Sequence, residues 1–283
     1  MSRYKNLRKA SFNATNLNGV AAISLSIGMG SITGSLLFAS AVAVGTYIKY
    51  KNLKGEVVTD EAKQRNILQR IANDPSLTAK ILMAAAGLNC LDATADIFLQ
   101  DETKLVENIT RAVAWGFGVL GDDALRRLDK INFKDLVERP AAKASKLKSA
   151  FKAATSNPAI FYNATNIAFL TNMMQETSLT SPEGLFGAAI AGTFALGIGH
   201  SLRRTFQATK GVIHPDKIND GPLNILSAAG ITGQSLFAAS TGHYYVAGAQ
   251  VIFAGSAIKS LFETRASLRK TGVTQPAELK NDI

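Results

Sequence analysis

Asp92 and Asp96 stand one helical turn apart, and Asn89 stands one turn before Asp92. A helix places all three toward one side. They fall inside an otherwise apolar run, Lys80–Leu99. A carboxylate in hydrocarbon is costly, so it normally faces a bundle interior or a wet cavity, where it binds an ion or relays a proton. The next apolar run, Leu105–Gly121, carries Glu107 and Arg111, four residues apart. These two can pair within one helix, or Arg111 can neutralise Asp96 from the partner helix. The chemistry on offer is binding of a cation or a small polar solute. The structural alternative is a buried charge network that sets helix register.

A second set of candidates is a pair of amides. Asn13-Ala14-Thr15-Asn16 recurs as Asn163-Ala164-Thr165-Asn166, each copy preceded by an aromatic residue and followed by an apolar run. Asn16 and Asn166 therefore stand at corresponding places, either to bind a polar solute at a repeat interface or to bond between helices. Catalysis finds no constellation. His200, His214 and His243 are scattered, and no carboxylate-histidine spacing suggests a metal site. The serines sit in no nucleophile elbow, and Gly28-Met29-Gly30 lacks the strand before it that a phosphate loop needs. No enzyme activity, metal or cofactor is expected.

The elements that must hold these residues are eight apolar segments. They run over Phe12–Ile32, Gly34–Tyr50, Lys80–Leu99, Leu105–Gly121, Pro158–Gln175, Glu183–Ser201, Pro222–Ser240 and His243–Phe262. A bilayer-spanning helix needs about 20 residues. The segments come as four pairs with short links inside each pair and long charged links between pairs. The first long link contains an amphipathic stretch, Asp60–Ala72; the second contains another, Asp122–Val137, followed by Ala141–Ala154, which alternates Lys with Ala. All three are expected as helices on a membrane surface.

The pairs also repeat. Besides the asparagine motif, Lys54-Gly55 answers to Lys210-Gly211, Asn73-Asp74 to Asn219-Asp220, and Ile81–Gly87 to Ile225–Gly230. Matches in the same order indicate an internal duplication.

Charge separates the two kinds of link. The chain has 283 residues and a formal charge of +10. Of its 31 Lys and Arg, all but Lys104 and Arg111 lie in the long links, the N-terminal stretch and the tail, or, as Lys49, Lys80 and Lys259 do, at the segment ends beside them. If the segments span a membrane, nearly every base lies on one side, which is the positive-inside pattern with both ends cytoplasmic. A soluble helical repeat explains the pairing but not why bases avoid every second connection. Aromatic residues do not interleave the bases, so nucleic acid is not an expected partner. Cys90 is the only cysteine, which excludes an intrachain disulfide. Met1–Lys9 is basic without the apolar core of a signal peptide, so no cleaved leader is expected.

The last pair has a recognisable rhythm. Pro222-Leu223, an apolar run with Gly230, Leu236-Phe237 and Gly242, then Val246–Ile258 ending at Lys259, resembles the last two helices of a PQ-loop or SWEET-type transporter repeat. The resemblance covers about forty residues. The family's Pro-Gln pair is missing, and this chain has two helices per unit where the family has three. The resemblance implies transport and assigns no residue.

The expected fold is all-α: a polytopic membrane bundle of eight transmembrane helices, as four hairpins in two tandem parallel repeats. Residues 1–121 form the first repeat, 122–157 a basic cytoplasmic linker, 158–262 the second repeat and 263–283 a cytoplasmic tail. The expected function is a small-solute or ion transporter in a bacterial inner membrane, with Asp92, Asp96, Asn89, Glu107, Arg111, Asn16 and Asn166 as binding residues. The alternative is a non-catalytic membrane subunit whose basic links dock a protein partner or anionic lipid.

Overall fold

Runs of Ala, Leu, Ile and Val without internal proline favour unbroken helix. The computed structural model describes residues 3–28, 31–55, 77–99, 104–128, 148, 151–175, 177–213, 218 and 221–270, and all regular structure among them is helical. Among the described residues, besides a short helical stretch at 151–154, the helices in chain order are α1 (Arg3–Ser11), α2 (Ala14–Gly28), α3 (Ile32–Lys54), α4 (Leu77–Leu99), α5 (Leu105–Leu128), α6 (Pro158–Met173), α7 (Pro182–Thr209), α8 (Gly221–Ser240) and α9 (Tyr244–Lys270). One helix, α2 through α9, occupies each apolar segment. The basic stretch before the first segment, read only for its charge, forms α1 and packs on α3.

Helix ends follow local chemistry. Ser31 and Ser181 cap α3 and α7 by accepting from the backbone N–H of Gly34 and Gly184. Asn157 caps α6, with Pro158 in the first turn where a missing N–H costs nothing. The two Lys-Gly pairs are helix stops: Gly55 and Gly211 have φ of 69° and 72°, the left-handed conformation that glycine adopts freely. Three helices overrun their expected ends by seven or eight residues, α7 among them, which continues to Thr209. α5 continues to Leu128, so the front of the stretch Asp122–Val137 is the end of a core helix and not a separate surface one. α9 continues to Lys270. The stretch Asp60–Ala72 and most of Ala141–Ala154 lie outside the described residues, as do Asn73-Asp74 and Asn219-Asp220.

The helices form a ring. Each of α2 to α8 packs on the next, and α9 closes back on α2, with α8 also touching α6. Trp115 of α5 is the hub of one half of the core. Its ring lies 5.9 Å from Phe38 of α3 and 5.7 Å, edge-on, from Phe169 of α6. Alanines from α2, α4, α5, α6 and α9 fill the space around it. A second cluster joins Leu170 and Met173 of α6, Ile190 and Phe194 of α7, Ile231 and Phe237 of α8 and Ala247 of α9. Val246 and Phe253 of α9 touch both clusters and make the core continuous.

Three described stretches, Ile32–Lys54, Lys80–Leu99 and Pro182–Thr209, are long and apolar enough to cross a membrane. α2 and α6 are shorter, at 15 and 16 residues.

Close approach depends on glycine at a few contacts. A Cβ on Gly230 of α8 would lie 2.8 Å from the Phe194 ring, and Phe194 is fully buried with nowhere to turn. Gly230→Ala is therefore expected to destabilise. Overpacking of this kind costs about 1–3 kcal/mol, against the roughly 1 kcal/mol that Ala gains over Gly in a helix. Gly192→Ala on α7 meets nothing within 4 Å and should be neutral or stabilising. Thermal unfolding of the two variants in detergent checks this, and equal stability would contradict the contact.

Candidate functional site: charged hairpin and buried amides

The α4–α5 hairpin divides its charged residues. Arg111 Nη1 lies 3.5 Å from Asp96 Oδ2, across the hairpin, and both side chains are largely buried. The same nitrogen donates to Asn108 Oδ1 at 3.3 Å. Arg111 thus pairs with the neighbouring helix; Glu107 contributes its backbone carbonyl, which accepts from Asn172 Nδ2 of α6 at 3.0 Å, while its side chain is exposed. Asn172 also donates to Thr110 Oγ1 at 2.7 Å, tying α6 to the same corner.

Asp92 points outward and is exposed. Asn89 points inward, 3% exposed. Its Nδ2 donates to Ser26 Oγ at 2.9 Å, and its Oδ1 accepts from Ser31 Oγ. Asn89 therefore pins α4 to the α2–α3 turn. The structure brings Asp96 and Arg111 together and places Asn89, Asp92 and the Glu107 carboxylate apart from them. Asp96, paired with a guanidinium, has its charge met by protein.

The two asparagine motifs adopt different settings. Asn13 precedes α2 and accepts from the Asn16 backbone N–H at 3.1 Å, as an N-cap does. Asn16 Nδ2 then closes the α1–α2 corner on the carbonyls of Ala10 and Ser11 and reaches Thr46 Oγ1 of α3 at 2.7 Å. The second copy lies inside α6, because Asn157 and Pro158 start that helix earlier. The contact parallel to Asn16–Thr46 is made by Asn157, whose Nδ2 donates to Thr205 Oγ1 of α7 at 3.1 Å. Asn166 offers its backbone carbonyl to Gln234 Nε2 of α8 at 3.1 Å.

Two groups stand out only in three dimensions. The first is Gln234 of α8 with Gln250 of α9, 0% and 1% exposed. Among the described residues, Gln234 Oε1 and both amide atoms of Gln250 have no hydrogen-bond partner. The available signal was a glutamine in each of two apolar runs, at equal distance on either side of Gly242.

The second is Asp122, the first residue past the apolar run Leu105–Gly121. It is buried and accepts from the Tyr162 hydroxyl of α6 at 2.7 Å. Gly121 leaves room for the tyrosine ring, since a Cβ there would lie 2.6 Å from it. Burial disfavours the charged carboxylate and raises its pKa from 3.8 to about 7, against the opposing effect of the tyrosine bond. Among the described residues, no grouping of His, Cys, Asp and Glu could hold a metal ion.

The raised pKa has a defined pH signature. The folded state holds the Asp122 proton more tightly than the unfolded chain does. The stabilisation is complete below about pH 3.8 and is lost as pH rises toward about 7. Its size is on the order of a few kcal/mol. Melting temperature in detergent should fall as pH rises from mildly acidic to neutral, and Asp122→Asn should flatten that slope. An unchanged slope in the variant would show that another group titrates.

Compared with known proteins, the chain matches no family model, no curated protein and no solved structure, so the reading of its site rests on this geometry.

Proposed function

We propose that this chain is an integral membrane protein with eight spanning helices that carries a small solute or ion across the bilayer. The observation that supports membrane insertion is an inside-out surface. Large apolar side chains cover the outside, among them Leu36, Leu91, Phe98, Leu185, Leu236 and Val251. Amides and hydroxyls, including Asn89, Asn108, Gln234, Gln250, Ser26 and Ser256, are buried within. Outward hydroxyls bond to their own helix: Ser40 to the Leu36 carbonyl, Thr193 to Ala189 and Thr232 to Ala228. This is how a hydroxyl meets its hydrogen-bonding need without water.

The short helices α2 and α6 fit a bilayer by local thinning and by flanking side chains that reach the interface. The distribution of Lys and Arg supports cytoplasmic termini in a bacterial inner membrane. A tandem parallel duplication is supported by the matched Asn16–Thr46 and Asn157–Thr205 bonds and by the two Lys-Gly helix stops. Transport is supported by the polar side chains turned into the ring, and by the resemblance of the last hairpin to PQ-loop or SWEET-type repeats.

The alternative, a non-catalytic membrane subunit whose basic links dock a protein partner or anionic lipid, is favoured by one observation. The carboxylates expected to bind an ion are otherwise engaged or turned outward: Asp96 pairs with Arg111, and Asp92 is exposed. Uptake by proteoliposomes separates the readings, because a scaffold raises no flux above protein-free vesicles. Topology is tested by reporter fusions. Those after Lys54, Lys146 and Lys210 should read cytoplasmic, and those at Glu102 or Ser178 external. An external signal at Lys146 would sink the eight-span arrangement.

A further inference from the structure

Gln234 and Gln250 each lie eight residues from Gly242, in the turn between α8 and α9. Each lies six residues inside its helix, whose near end is Ser240 or Tyr244, a rise of about 9 Å against about 15 Å for half the hydrocarbon core. Both amides therefore sit at matching depth within the proposed bilayer. Ser235 Oγ donates to the Ala247 carbonyl at 2.9 Å and fixes the register of the two helices.

Both glutamines are on core-facing stripes. Gln234 shares its face of α8 with Ile231 and Ala238, three residues before and four after. Gln250 shares its face of α9 with Ala247 and Ala254. All four of these neighbours belong to the same buried cluster as Leu170 and Phe194. The bond from Gln234 Nε2 to the Asn166 carbonyl holds one amide toward α6.

What remains is an open set of hydrogen-bonding groups in an apolar interior. Gln234 Oε1 and Gln250 Oε1 accept, and Gln250 Nε2 donates, without a partner among the described residues. A buried amide left unmet is strongly unfavourable. No ionisable side chain lies on these stripes, so an ion entering here would lose its hydration without a countercharge.

We infer that Gln234 and Gln250 form the binding site for a small uncharged solute that both donates and accepts hydrogen bonds, an inference that rests on the transport reading above. A polyol or a urea-like amide has this chemistry. The two carbonyl oxygens take its donors, and the Gln250 amide takes its acceptor. This site is distinct from the charged α4–α5 hairpin, and its preference is for neutral over ionic cargo.

The test uses the full chain in liposomes, with glycerol and urea as neutral probes and potassium as the ionic one. Stopped-flow swelling should show glycerol or urea entry at least tenfold above protein-free liposomes, with no potassium flux. Gln250→Leu removes the amide at similar volume, so it should bring swelling to the protein-free rate while melting temperature stays level or rises. Gln250→Met is a second apolar replacement with the same expectation. Undiminished swelling in either folded variant overturns the site. Loss of the folded protein in both variants also overturns it, because the amide is then structural. Potassium flux without glycerol or urea entry overturns the neutral-solute inference and leaves the transport reading standing. Absence of flux for all probes removes both.

Discussion

Polar groups in this bundle must find partners without help from outside. Its described outer surface is rich in leucine, isoleucine, phenylalanine and valine, and in the proposed bilayer water has no role there. Backbone N–H and carbonyl groups are met within helices. Outward serines and threonines return their protons to the carbonyl four residues back. Inward amides reach other helices instead. Asn16, Asn89 and Asn157 each join two or more elements, at the α1–α2–α3 corner, the α2–α3 turn and the α6–α7 pair. In the proposed bilayer these bonds substitute for the hydrophobic effect, which does not drive helix against helix in lipid.

Close packing completes what the amides begin. Alanine and glycine let backbones approach, and the few large residues are placed where a facing glycine receives them. Phe194 rests on Gly230, Tyr162 on Gly121 and Ile190 on Gly233. Around Trp115 large side chains meet each other instead, Phe38 and Phe169 on the indole with alanines filling the space between. The contact of α9 with α2 closes the ring, so the first and last apolar helices stabilise each other despite their separation in sequence.

The charged hairpin and the two buried glutamines handle their polar groups in opposite ways. Asp96 and Arg111 meet each other, and a largely buried pair of this kind is costly to break because either partner alone is left uncompensated. Gln234 and Gln250 are uncharged but incompletely met, in the less forgiving interior. Asp122, at the end of α5, takes a third course: burial favours its protonated form, and the tyrosine hydroxyl holds it in place.

The pattern of residues by itself determined that the described chain is helical, where each helix of the ring starts to within three residues, and that Asp96 had Arg111 within reach. These are local properties: apolar runs, capping serines, a proline at a helix start, and spacing along one helix or across one short turn. The N-terminal helix was legible only as charge, because its bases and its docking on α3 lie on different faces of a short segment. The tertiary structure alone decided which way each polar side chain points. Helices that are apolar on nearly every side carry little directional pattern, so Asp92 could be placed on a helix but not on its outer face. For the same reason Asn13 and Asn163 share a motif but not a setting, and Gln234 and Gln250 could not be paired from sequence. Rotation of a helix about its own axis is set by contacts with distant segments, and those contacts exist only once the ring has closed.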